Sequence, residues 1–178
     1  RLWVSPAGDD AWLTNGSTNG SLYHWTAAAG ISGVSVTPAL KMNAIHGSAS
    51  ANVFAVGASG TCWRWAGSFW STVPTGTSSV LHGVFVASAS AEWAVGANGA
   101  LLEWSGLAWT VQTSGTTEKL LAVHAAGNAL LAAAFAHGGF AEGGGHEVEI
   151  DDGGGAIASQ IHALDEVLVA VGVDLEDH

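Results

Sequence analysis

The sequence predicts an all-β fold of four-stranded sheets, and three observations carry that expectation. A repeat of 39 residues runs through the middle of the chain. Each repeat breaks into runs of about five β-branched, aromatic or small apolar residues separated by Gly, Ser and Asn, which is how short strands and turns read in a sequence. No segment before residue 118 carries a helical period.

The repeat is set by several landmarks at one spacing. Phe54-Ala55-Val56-Gly57 recurs as Trp93-Ala94-Val95-Gly96. Gly60 maps to Gly99, Trp65 to Trp104, Gly67 to Gly106, Trp70 to Trp109, and Thr75-Gly76-Thr77 to Ser114-Gly115-Thr116. Upstream, Asp10-Ala11-Trp12-Leu13 stands where Asn52-Val53-Phe54-Ala55 stands, with Gly16 to Thr18 lengthening the first unit. Downstream, Leu120-Leu121-Ala122-Val123-His124 matches Leu81-His82-Gly83-Val84-Phe85, and Leu130 to Ala134 keeps the apolar run without the Trp. A last echo is Val169-Ala170-Val171-Gly172. The chain therefore divides into a divergent first blade (1–41), two clear blades (42–80 and 81–119), a degenerate blade (120–156), and a partial blade or acidic tail (157–178).

In the clearest unit the four expected strands are Leu81 to Ala87, Glu92 to Ala97, Ala100 to Trp104 and Trp109 to Thr113. Asn98-Gly99 suits a two-residue hairpin turn of the primed type, with Ser59-Gly60 and Asn19-Gly20 in the same place. About 40 residues holding four strands is one blade of a β-propeller, so the expected architecture is four to five blades or part of a larger ring. A lone four-stranded sheet cannot bury both faces; stacking neighbours does so, and Trp supplies large area for it. Trp25, Trp65 and Trp104 are thus expected between blades. Leu2-Trp3-Val4 reads as a strand, which suggests a first blade completed by residues from elsewhere.

Composition excludes some functions. The chain has 178 residues, 48% of them hydrophobic and 11% charged, with nine Trp, 25 Gly and a net charge of -11. Only Arg1, Lys41, Arg64 and Lys119 are basic, too few for phosphate-driven nucleic-acid binding or an anionic membrane surface. Cys62 stands alone, so neither an internal disulfide nor a thiolate metal cluster is available. No apolar run reaches the roughly 18 residues of a membrane span. The acids are uneven: residues 142–178 hold ten and no base.

The pattern W-A-V-G-x-x-G-x-x-x-x-W-x-G-x-x-W, followed by S/T-G-T and an apolar strand, resembles the secreted β-propeller repeats of large bacterial cell-surface proteins, notably of myxobacteria. Trp93-Ala94-Val95-Gly96, Gly99, Trp104, Gly106 and Trp109 carry the likeness best. More distantly it is similar to BNR/Asp-box and photosystem-assembly-factor propellers, although Gly60 to Trp70 contains no Asp-box aspartate. The resemblance implies a propeller fold, export to an extracellular or cell-surface location, and a binding or scaffolding role.

Candidate sites follow from residue chemistry. A non-enzymatic module would bind other proteins through its face loops, Ala66 to Phe69 and Gly106 to Ala108. A lectin would place one Trp-based site in each blade, with Trp70 and Trp109 as stacking residues beside Ser68 and Gly106, and glycans as ligands. His46 and His124 share one position in the first strand, with Phe85 between them in the series and His162 within one residue of it. These imidazoles are expected along an axial channel, as ligands for a metal or anion or as hydrogen-bonded wall residues. Glu147, Glu149, Asp151 and Asp152 crowd near Gly153-Gly154-Gly155, an oxygen-rich loop suited to Ca2+ or to solvent. No other cofactor is implied. A hydrolase would need paired carboxylates; Asp9, Asp10, Glu92, Glu103 and Glu118 are expected at solvated surface positions, because they sit in loops or at strand edges and Glu92 and Glu103 align with the non-acidic Val53 and Arg64.

Overall fold

Side-chain alternation decides which face each residue takes. In β1 (Leu2–Val4), Trp3 is buried while Leu2 and Val4 are exposed. The computed structural model describes residues 1–126 and 129–134, and they form an all-β fold. The first sheet comprises β1, β2 (Asp10–Thr14), β3 (Ser21–Thr26) and β4 (Gly30–Ser35). The second comprises β5 (Met42–Ala49), β6 (Asn52–Gly57), β7 (Cys62–Trp65) and β8 (Trp70–Thr72). The third comprises β9 (Leu81–Ser88), β10 (Ala91–Gly96), β11 (Leu101–Trp104) and β12 (Trp109–Gln112). Then come β13 (Leu120–Ala126) and β14 (Ala129–Ala134), paired as a hairpin.

Each four-stranded sheet is an antiparallel meander in chain order. Among the described residues there are three such sheets and one two-stranded sheet, and they do not close into a ring. β1 supplies the first sheet's first strand, so that sheet has all four strands within this sequence, contrary to the expectation that residues from elsewhere complete it.

Two second strands are buried on both faces: every residue of β6 is buried, and every residue of β10 after Ala91. That requires a neighbour on each side, and the apolar clusters provide it. Trp3, Trp12 and Leu22 of the first sheet pack with Ile45, Val53, Ala55 and Trp63 of the second. Phe54, Val56 and Cys62 pack with Val84, Ala94, Leu102, Trp104 and Trp109 of the third. Trp93, Val95 and Leu101 pack with Leu120 and Ala132 of the β13–β14 pair.

The repeated small residues have specific jobs. Asn98 (φ 57°) and Gly99 (φ 65°) both take left-handed backbone, as do Ser59 (φ 54°) and Gly60 (φ 67°), giving the primed turn. In the first unit Gly20 is left-handed and Asn19 is not. A side chain at Gly60 or Gly99 would also collide with the carbonyl of Thr77 or Thr116. The S/T-G-T motif explains that closeness: the Thr75 hydroxyl donates to Gly60 O at 2.7 Å, knotting the exit loop onto the hairpin turn.

Candidate binding surfaces

The first strands of successive sheets lie side by side without sharing a ladder. Side chains tie two of them together. Asn43 Nδ2 donates to Leu81 O at 2.8 Å, and Val86 N donates to His46 Nδ1 at 3.1 Å. The same alignment brings His46, Phe85 and His124 into one row. The His46 and Phe85 rings are 4.9 Å apart, and the Phe85 and His124 rings 4.4 Å. Burial, and then the neighbouring His124, hold His46 below the usual imidazole range. Its Nδ1 accepts from Val86, which requires that nitrogen to be unprotonated. With Phe85 between them, the two imidazoles do not converge on one point. Among the described residues no three His, Cys, Asp or Glu side chains are grouped as metal ligands would be. His162 and the proposed Ca2+ residues Glu147, Glu149, Asp151 and Asp152 lie outside the described residues.

The lectin candidates separate. Ser68 is exposed and Gly106 (φ 89°) is half-buried, each in the turn joining the third and fourth strands of its sheet. Trp70 is half-buried, its ring edge-on to Trp12 at 4.9 Å. Trp109 is only 7% exposed and lies edge-on to Phe54 at 5.7 Å, so it offers no open face for a sugar. The cause is cross-strand pairing: Trp70 faces Trp65 and Trp109 faces Trp104, and each pair is turned toward the preceding sheet. Trp104 is buried, Trp65 is half-buried, and Trp25 has no neighbouring sheet on its side among the described residues.

Glu92 corrects the reading that the unique acids are solvated. It is fully buried between the second and third sheets. Asn52 Nδ2 donates to Glu92 Oε1 at 3.1 Å and to Ser48 Oγ at 2.9 Å, while Glu92 Oε2 has no partner. Burial pushes the carboxyl up to about 7, against the opposing pull of Asn52 and Arg64. The repeat did carry this signal: Glu92 occupies the place of Val53 and Ala11, both buried. Neutral counterparts meant an interior position.

The sequence reading also missed a sandwich of an aromatic ring, a His or Arg side chain and a tryptophan. His24 stacks on Trp12 at 4.0 Å and lies 5.9 Å from Trp65 of the next sheet. Arg64, at the same repeat position, has its guanidinium 5.5 Å from the Phe54 ring and 5.6 Å from Trp104 of the next sheet. His24 is further held by Asp10 at 3.1 Å. Cys62 is buried and its thiol is pushed up to about 12, mainly by burial, which leaves it unreactive.

Two open grooves, of about 690 and 410 Å³, are one feature repeated. Gly60, Thr61, Thr72, Thr75, Gly76 and Thr77 line the smaller; their counterparts Gly99, Ala100, Val111, Ser114, Gly115 and Thr116 line the larger. No carboxylate lines either groove.

The largest exposed apolar side chains in the second and third sheets sit on equivalent turns. Phe69 is 68% exposed between β7 and β8, and Leu107 is 90% exposed between β11 and β12. No protein-family model and no curated protein matches the chain. No helix among the described residues is long and apolar enough to cross a membrane.

Proposed function

We propose that this chain is a β-propeller, or a run of blades from one, that is exported to the cell surface and works there as a non-enzymatic protein-binding or scaffolding module. The observation that carries the binding role is the pair of equivalent turns presenting Phe69 and Leu107 to solvent. Large apolar groups on rigid hairpins stabilise nothing inside the fold; they contribute when a partner covers them. The propeller reading is supported by the adjoining first strands, the His46–Phe85–His124 row, and apolar clusters that join each sheet to the next.

A photo-crosslinking residue at Leu107, with one at the exposed Thr113 as control, tests this on source cells. Discrete protein adducts at 107 alone, weakened by Phe69→Ser, are the expected result. Equal labelling at both positions overturns it.

The second reading, a lectin with one site per unit, is favoured by the repeated groove lined by hydroxyls. A glycan panel tests it: weak binding with several equivalent sites supports the lectin, and its loss in Thr116→Val would place the site in the groove rather than at Trp70 and Trp109. The hydrolase reading has no observation of this kind behind it.

A further inference from the structure

Strand pairing puts two rows of side chains on one face of the first sheet. Leu2, Leu13, Tyr23 and Gly33 form one row; Val4, Ala11, Trp25 and Ile31 form the other. Every member is apolar or aromatic, and Leu2 (59%), Val4 (47%) and Ile31 (64%) are exposed. The molecule contains its own control for such a face. The same rows in the second sheet hold Trp63, Trp65 and Trp70, and in the third Leu102, Trp104 and Trp109. In both, the preceding sheet covers them. Trp12 meets Trp65 at 4.8 Å and Trp70 at 4.9 Å; Phe54 meets Trp104 at 5.6 Å and Trp109 at 5.7 Å. A basic side chain lies beside each aromatic, the His24 imidazole in one case and the Arg64 guanidinium in the other. Among the described residues no ring contacts Trp25 or Tyr23.

We propose that this face of the first sheet docks a further four-stranded sheet of the same repeat, one with an aromatic at the position of Trp12 and Phe54 and a His or Arg at the position of His24 and Arg64. The described residues cannot supply it. Trp12, Phe54 and Trp93 are each already packed against the next sheet. The fourth unit has Leu131 at that position, opposite His124, and no aromatic follows Phe140. The fourth unit and the segment after Phe140 therefore lack the aromatic that the covering sheet would present. This deepens the propeller reading by naming the interface, and it is independent of whether Phe69 and Leu107 bind a partner.

The test places a second copy of residues 42–80 ahead of Arg1 in the full chain and follows maleimide labelling of the thiol introduced by Ile31→Cys. Cys62, buried and held in the thiol form, stays silent. Labelling of the unextended chain is expected to be fast. The added sheet slows it at least tenfold, and Phe54→Ala within the added copy restores it. Labelling unaffected by the added sheet overturns the proposal. So does an unextended chain that is already protected, whether protection rises with concentration (a second copy covers the face) or vanishes when residues 135–178 are removed (the chain's own tail does).

Discussion

The interface between the first and second sheets and the interface between the second and third share a frame and differ in chemistry. Both wedge an aromatic from one second strand between two tryptophans of the next sheet. Both place a nitrogen-bearing side chain beside it, the His24 imidazole in the first and the Arg64 guanidinium in the second. Behind that frame the first interface has Val53, and Asp10 paired with His24; the second has Glu92 with Asn52. The repeat therefore keeps shape and lets polarity vary. Large rings decide whether sheets stack, whereas the polar layer decides under what conditions they stay stacked.

The largest effect expected is loss of a wedge. Phe54→Ala removes a fully buried ring that touches two tryptophans, and should cost about 3–5 kcal/mol in chemical denaturation. Trp12→Ala should cost as much at the other interface. A loss below about 1 kcal/mol at either would mean that the interface does not depend on its wedge.

Next is a difference in pH response. Glu92 is raised from 4.5 to about 7 in the folded chain. Between those values the folded state binds the extra proton, so Glu92's contribution is fully present below about pH 4.5 and lost as pH rises through 7. Glu92→Gln keeps the shape and removes the charge. It should stabilise the chain by about 2–3 kcal/mol at pH 8 and leave it nearly unchanged at pH 4. Equal effects at both pH values would mean that the carboxyl is not titrating at the interface. Val53, the equivalent residue in the first interface, gives no such slope.

The smallest effect is at the cation. Arg64→Met keeps most of the packing and should cost about 1 kcal/mol. Because Arg64 opposes the rise at Glu92, the same change should move the pH response upward. Unchanged pH dependence in Arg64→Met would separate the two groups.

These positions also show what a sequence reader can see. The strands of the third sheet agree with the sequence reading to within about one residue, because Asn98-Gly99 and Trp104-Ser105-Gly106 punctuate them through backbone preferences that act locally. The row of His46, Phe85 and His124 was legible too, since equal repeat positions in adjoining strands take equal orientations. Glu92 was misread because an ionisable residue type was weighed above an interior repeat position. Trp109 was misread because proximity to a turn suggested exposure, whereas its pairing with Trp104 turns it inward. Contacts between units, such as Arg64 with Trp104, depend on how sheets stack, and no spacing within one unit encodes that.

Consecutive sheets seal one another through aromatic wedges. The most direct measurement is a double-mutant cycle between Trp12 and Trp70, 4.9 Å apart across the first interface, using Trp12→Leu, Trp70→Leu and the pair in equilibrium denaturation. Stacked sheets predict a favourable coupling of about 0.5–1.5 kcal/mol. Strict additivity of the two losses would contradict the stacking on which the fold, the proposed function and the docking face all rest.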